Sequence, residues 1–189
     1  MTENNDRVLI QKYLDGDGKA FEVLFNRYRE SVFRFILGYC GNYAEAEDLF
    51  QELFIKLLRG LENFKGRSSF RTYLYTSARN CCIDRFRKNS RKPEIKVDDE
   101  ALETLMPGRS DAPSKDMEQK ETGLILRKAL EKLPPEQREV FLLKEESGTR
   151  IAEIAEILGC PENTVKSRLR YAVLALRDAL EPRLKRRAI

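Results

Sequence analysis

Apolar residues recur at three- and four-residue spacing along most of the chain, the mark of helices that bury one face. In YAEAEDLFQELFIKLLRG, Ala46, Leu49, Phe50, Leu53 and Leu57 share a face, and Asp48, Gln51, Glu52 and Ile55 lie opposite. The periodicity predicts helices over about 4–15, 18–40, 44–58 and 69–89, broken by GDG, GN and KGRSS. Further helices are predicted over about 117–133, 135–146, 150–158 and 162–180, and no strand-like alternation appears. Between the two sets, RKPEIKVDDEALETLMPGRSDAPSKD carries three prolines, dense acid and no sustained apolar period, so it reads as a linker. The expectation is an all-α chain of two small helical domains, 1–92 and 117–189, joined by a flexible acidic linker over 93–116.

The stretch ILGCPENTVKSRLR tells more than its neighbours. Val165, Leu169, Ala172 and Leu176 form one stripe, and Asn163, Lys166, Ser167 and Arg170 fall on the far face with Tyr171 at its edge. Upstream, Ile151, Ile154, Ala155 and Leu158 form a second stripe, and GCP supplies a tight connection with Pro161 suited to a helix start. Two helices joined in this way, with donors on the first half of the second, describe a helix-turn-helix whose recognition helix enters a major groove. Lys and Arg donate to guanine and Asn pairs with adenine, so these side chains are candidates for base edges and phosphates.

Charge extends this picture to the whole chain. The net charge of +4 divides into +5 over 1–92, −4 over 93–116 and +3 over 117–189, two basic blocks around an acidic connector, which suits a nucleic-acid partner for both blocks. The chain has no histidine, and Cys40, Cys81, Cys82 and Cys160 form no CxxC. Histidine-ligated zinc sites and histidine-based triads are excluded, and the cysteines are expected to be buried free thiols; no metal and no cofactor is expected. No apolar run approaches eighteen residues and no signal peptide opens the sequence, so a cytoplasmic location is expected.

In ENFKGRSSFRTYLYTSARNCCIDRFRKNSRK, Phe64, Phe70, Tyr73 and Tyr75 alternate with Lys65, Arg67, Arg71, Arg79, Arg85, Arg87 and Lys88. Rings that stack on unstacked bases beside cations that hold phosphates are what single-stranded DNA binding requires. About half of these rings belong to a core, because Tyr75, Cys82 and Phe86 continue a stripe with Leu74 and Ala78, leaving Thr76, Asn80 and Arg87 on the other side. The acidic face with Ile55 is a poor DNA surface and suits a protein partner.

Three blocks, AEDLFQELFIKL, FKGRSSFRTYLYTSARNCCIDRFRK and LPPEQREVFLLKEESGTRIAEIAEILGCPENTVKSRLRYAVLALRDAL, resemble in order and spacing those of sigma-70-type RNA polymerase sigma factors of the small extracytoplasmic-function (ECF) subgroup. The resemblance covers roughly 18–90 and 117–180. It implies a region 2-like bundle that binds the polymerase and opens the minus-ten element, and a region 4-like helix-turn-helix that reads the minus-thirty-five element as duplex. By the same resemblance, Asp48, Gln51, Glu52 and Ile55 would meet the clamp of the largest polymerase subunit. Lys65, Arg67, Ser68, Ser69 and Phe70 match a loop that captures a flipped base, and Tyr73, Asn80 and Arg87 would meet the melted element or its duplex edge. Asn163, Lys166, Ser167, Arg168, Arg170 and Tyr171 would meet the minus-thirty-five element, with Arg168 set toward the buried side and suited to a phosphate.

Tyr73 stands where tryptophan is common in the family, and Arg150 where an aromatic or polar residue is usual. The resemblance implies core RNA polymerase and promoter DNA as partners, an anti-sigma factor as controller, and no catalysis by the chain itself. A stand-alone LuxR-type regulator is the nearest rival, because REVFLL, EIAEILG and ENTVKSRL also resemble its DNA-binding helices. A nucleic-acid enzyme such as a resolvase would need a carboxylate cluster or a nucleophile with its base, and neither is present in the sequence.

Overall fold

Short polar caps and a glycine punctuate the first half into a helical bundle. The computed structural model describes residues 2–64, 66–89 and 125–187. Helix α1 spans Thr2–Leu14, α2 Gly18–Cys40 and α3 Tyr43–Gly60, followed by a 3-10 turn at Leu61–Asn63 and α4 at Phe70–Asn89. The Asp17 carboxylate accepts from Lys19 N at the start of α2, and Asn42 Oδ1 accepts from Glu45 N at the start of α3. Ser69 Oγ accepts from Thr72 N at 3.0 Å and so opens α4.

The second half contains a helical stretch over 125–131 (α5), then α6 at Pro135–Glu145, α7 at Ile151–Leu158 and α8 at Glu162–Arg187. Pro135 occupies the first turn of α6, where its missing N–H is no loss. The expected helices are thus present among the described residues, with α8 running seven residues beyond the predicted end; of the helix expected over 117–133, 125–131 is helical and 117–124 lies outside the described residues. Residues 90–124, which include the expected linker, lie outside the described residues.

In the first half, α2 packs on α1, α3 and α4. Val32, Phe35, Ile36, Leu49, Leu53, Leu57, Leu74, Tyr75, Ala78 and Cys82 are almost fully buried, as the stripes of α3 and α4 predict. Each large apolar side chain so buried contributes about 1.5–3 kcal/mol. Rings knit the helices together: Phe25 meets Phe54 edge-on at 4.7 Å, and Phe35 meets Tyr75 edge-on at 5.5 Å. Phe86 departs from the expected stripe and is 41% exposed. Helix α2 ends at Cys40, and Phe86 meets the ring of Tyr39 near that end, 5.7 Å away.

In the second half, α6, α7 and α8 enclose Val140, Leu143, Ile154, Val165, Ala172 and Leu176. Gly159 takes the left-handed conformation (φ 63°) that ends α7 and turns the chain into α8, a conformation costly for any side chain with a Cβ. The two halves also pack on each other, α4 against α7 and α2 against α6, so that the buried residues form one continuous cluster. The sequence pattern had predicted the two helical units but not this packing.

Candidate nucleic-acid and polymerase interfaces

The first half of α8 presents an open polar face. Asn163, Lys166, Ser167, Arg170 and Tyr171 are exposed, with Tyr171 59% accessible, while Arg168 is half-buried as its place in the helical period requires. The Arg168 charge lowers the proton affinity of Glu139, which places it toward α6. Lys166 makes a loose pair with Glu162 (3.7 Å), and the Ser167 hydroxyl donates to Asn163 O at 2.8 Å within its own helix. Val173 and Leu174 are exposed one turn further on.

The outer face of α3 is also open. Asp48, Gln51 and Ile55 are exposed, Ile55 by 50%, in the arrangement the periodicity predicts. Glu52 is more engaged: its carboxylate accepts from Lys56 at 2.8 Å and meets Arg85 at 3.5 Å. The hydrogen bond from Lys56 holds the Glu52 carboxyl below its ordinary range, so this group is ionised at neutral pH.

The aromatic and basic segment divides into parts. Arg67, Asn80 and Arg87 are exposed; Ser68, Ser69 and Tyr73 are half-buried; Lys65 lies outside the described residues. Phe70, expected in a base-capturing loop, is only 4% exposed and packs edge-on against Tyr28 at 5.6 Å and Phe64 at 6.0 Å. In this arrangement its ring is core, because the helix that Ser69 caps turns it inward.

Below that ring lies a buried polar group that the sequence pattern did not single out. Asp6 is 1% exposed, pairs with Arg27 and accepts from the Tyr28 hydroxyl at 2.5 Å. Burial, with the Asp6 charge added, pushes the Tyr28 phenol well above its ordinary range, so it stays a donor. The Arg71 guanidinium sits 5.4 Å over the Tyr28 ring, and Arg7 donates to Gly66 O at 2.8 Å. Helix α1 therefore holds both the start of α4 and the loop before it.

Cys81 and Cys82 are buried free thiols, as expected, whereas Cys40 and Cys160 are free but only half-buried. The hydrogen bond to Cys40, then burial, raises the Cys82 thiol far above its ordinary range, and burial raises Cys81 despite Lys56 3.7 Å away. No group of three or more acidic, cysteine or histidine side chains able to hold a metal occurs among the described residues.

An open donor-bearing helix after a glycine turn, and an acidic-apolar helix beside an aromatic-basic one, occur in the order of known transcription proteins. Residues 24–92 match the model of sigma-70 region 2, and residues 123–176 match the model of sigma-70 region 4. The RNA polymerase sigma-H factor of Pseudomonas aeruginosa is 30% identical over 98% of both chains. The ECF RNA polymerase sigma-E factor of Escherichia coli K12 is 33% identical over 96% of this chain and 97% of its own. The chain belongs to the ECF sigma factors of the sigma-70 family. As such it is a promoter-directing subunit for RNA polymerase, and the LuxR-type alternative falls away because it leaves the region 2 match without a role. The fold agrees with that of the sigma factor RpoE of Bartonella quintana, solved with the anti-sigma factor NepR (24% identity, TM-score 0.68, 86% of this chain and 98% of that one). It also agrees with CnrH, solved with the cytosolic domain of CnrY (21% identity, TM-score 0.69, 94% and 98% covered). In this sigma factor no helix among the described residues is long and apolar enough to cross a membrane.

Proposed function

We propose that this ECF sigma factor works by binding alone, with three surfaces divided between two working units, 1–92 and 117–189, joined through 93–116. Asp48, Gln51, Glu52 and Ile55 meet the polymerase clamp: three acceptors fix register and the exposed isoleucine gives burial. The loop with Lys65, Arg67, Ser68, Ser69 and Phe70, continuing into Tyr73, Asn80 and Arg87, receives the melted minus-ten strand. Asn163, Lys166, Ser167, Arg168, Arg170 and Tyr171 read the minus-thirty-five duplex, the long donors facing base edges and Arg168 a phosphate. Polymerase does the chemistry in the cytoplasm, and an anti-sigma factor, the kind of partner with which the RpoE of Bartonella quintana was solved, restrains the free chain.

The observation that carries the reading is the exposed donor face on α8 in the same chain as the exposed acidic-apolar face on α3. Two modest surfaces on one chain add to a tight joint interaction when polymerase and promoter are engaged together. Size-exclusion chromatography with sigma-free core polymerase tests it. The native chain is expected to co-elute and Asp48→Ala/Glu52→Ala to lose co-elution while retaining minus-thirty-five duplex binding. A folded native chain that elutes apart from core would overturn the proposal.

A further inference from the structure

The start of α4 is not free. Arg79 Nε lies 2.6 Å from Glu139 Oε1, with the glutamate side chain only 7% exposed. Arg34 Nε lies 2.7 Å from Glu146 Oε2, Arg71 donates to the Ser147 carbonyl, and Ser69 Oγ donates to Glu153 Oε1 at 3.2 Å. Three of the four groups supplied by the first unit, Ser69, Arg71 and Arg79, come from the aromatic and basic segment. Beside them, α6 approaches α2 at Gly38, where an added Cβ would lie 2.5 Å from Leu142 Cδ2. Glycine is what permits this closeness.

The composition of this seam is that of a contact which opens. Beside the apolar contact of Leu142 at Gly38, its ties are charged and polar, as in transient interfaces between domains. The Tyr75 hydroxyl is buried at this seam, beside Ser31 of the first unit and Ser147 of the second. Burial raises the Glu139 carboxyl above its ordinary range against the pull of Arg79, so the charge is held there at a cost.

Length gives an independent argument. The minus-thirty-five and minus-ten elements are centred about 25 base pairs apart, roughly 85 Å at about 3.4 Å per step. A globule of this chain length has a radius of gyration of about 16 Å, so no two of its faces lie that far apart. The packed form cannot engage both elements.

We propose that the second unit is an intramolecular cap on part of the minus-ten face: α6, the α6–α7 loop and α7 engage Ser69, Arg71 and Arg79 in the free chain and withhold them from single-stranded DNA, while Arg67, Asn80 and Arg87 stay open. This inference rests on the functional reading above, and it adds a regulatory contact made by the chain with itself. Docking of the two units on separate sites removes the cap, so single-strand capture follows docking.

The test uses the full chain and a short fluorescein-labelled single strand of randomised sequence, read by anisotropy, with amide hydrogen exchange of 70–76 followed in parallel. Gly38→Leu wedges the seam without changing charge, and Glu139→Ala removes its buried ion pair. Glu145→Ala, an exposed α6 carboxylate outside these contacts, controls for charge. Both seam variants are expected to exchange faster over 70–76 and to bind the strand about threefold tighter or more, since apparent affinity scales with the open fraction. The control is expected to do neither. Faster exchange without tighter binding overturns the cap, and so does unchanged exchange in seam variants that keep their helical circular dichroism. Tightening in a chain that does not co-elute with core polymerase sinks the sigma assignment and leaves the cap standing.

Discussion

The first half of α8 and the first half of α4 are both assigned to DNA, yet one lies open and the other lies under a neighbouring unit. Asn163, Lys166 and Arg170 stand in solvent, whereas Phe70 is core and Ser69 and Arg71 are engaged across the seam. The difference follows from what each face receives. Reading duplex edges takes long polar side chains, which are stable in water without their ligand. Receiving unstacked bases takes apolar rings, and a cluster of rings left uncovered is a surface that sticks to whatever is near. One surface can wait exposed; the other needs cover until its ligand forms.

Four variants separate these two surfaces. The largest effect is expected at Asp6, which supports α4 from beneath and not from the seam. Asp6→Ala leaves Arg27 without its buried partner and is expected to cost about 3–5 kcal/mol in urea denaturation. A loss below about 1 kcal/mol would show that Arg27 and Tyr28 find other partners and that α1 is not the support. Next, Lys166→Ala/Arg170→Ala is expected to weaken minus-thirty-five duplex binding by about 2–4 kcal/mol. Single-strand binding should be unchanged, and parallel loss of both would erase the distinction between the faces.

Gly159→Ala comes third. Its φ of 63° places a Cβ in the left-handed region, so the second unit should lose about 1–2 kcal/mol in thermal unfolding. The smallest effect is expected at Ser167, whose hydroxyl already bonds Asn163 O. Ser167→Ala should change duplex binding by no more than about 0.5 kcal/mol. A tenfold loss, about 1.4 kcal/mol, would show that the hydroxyl turns outward to the DNA.

Much of this molecule can be read from spacing alone. Helical periodicity places Ile55 and Lys166 outside and Leu53 and Val165 inside, because burial along a helix depends on position in the turn. What spacing cannot express is the partner an outward residue finds far along the chain. Arg79 has the look of a DNA-facing cation, and only the fold brings it to Glu139, sixty positions away. Asp6 resembles an ordinary charge in an amphipathic helix until Arg27 and Tyr28 close over it. Ser69 and Ser167 look like ligand donors in sequence, while in the fold one caps α4 and the other bonds its own helix. Phe86 shows the opposite failure, an inward phase on a helix that outruns the core beneath it.

The ion pairs between the two units also bear on ionic strength. Added salt weakens most phosphate contacts, and binding to duplex through α8 should fall steeply as counterions compete. Salt also screens the half-exposed Arg34–Glu146 pair that helps keep α4 covered. For the single strand the two effects oppose each other, so its affinity should decline with salt more gently than that of the duplex. The same chain would then rank its two DNA ligands differently in dilute and in concentrated buffer.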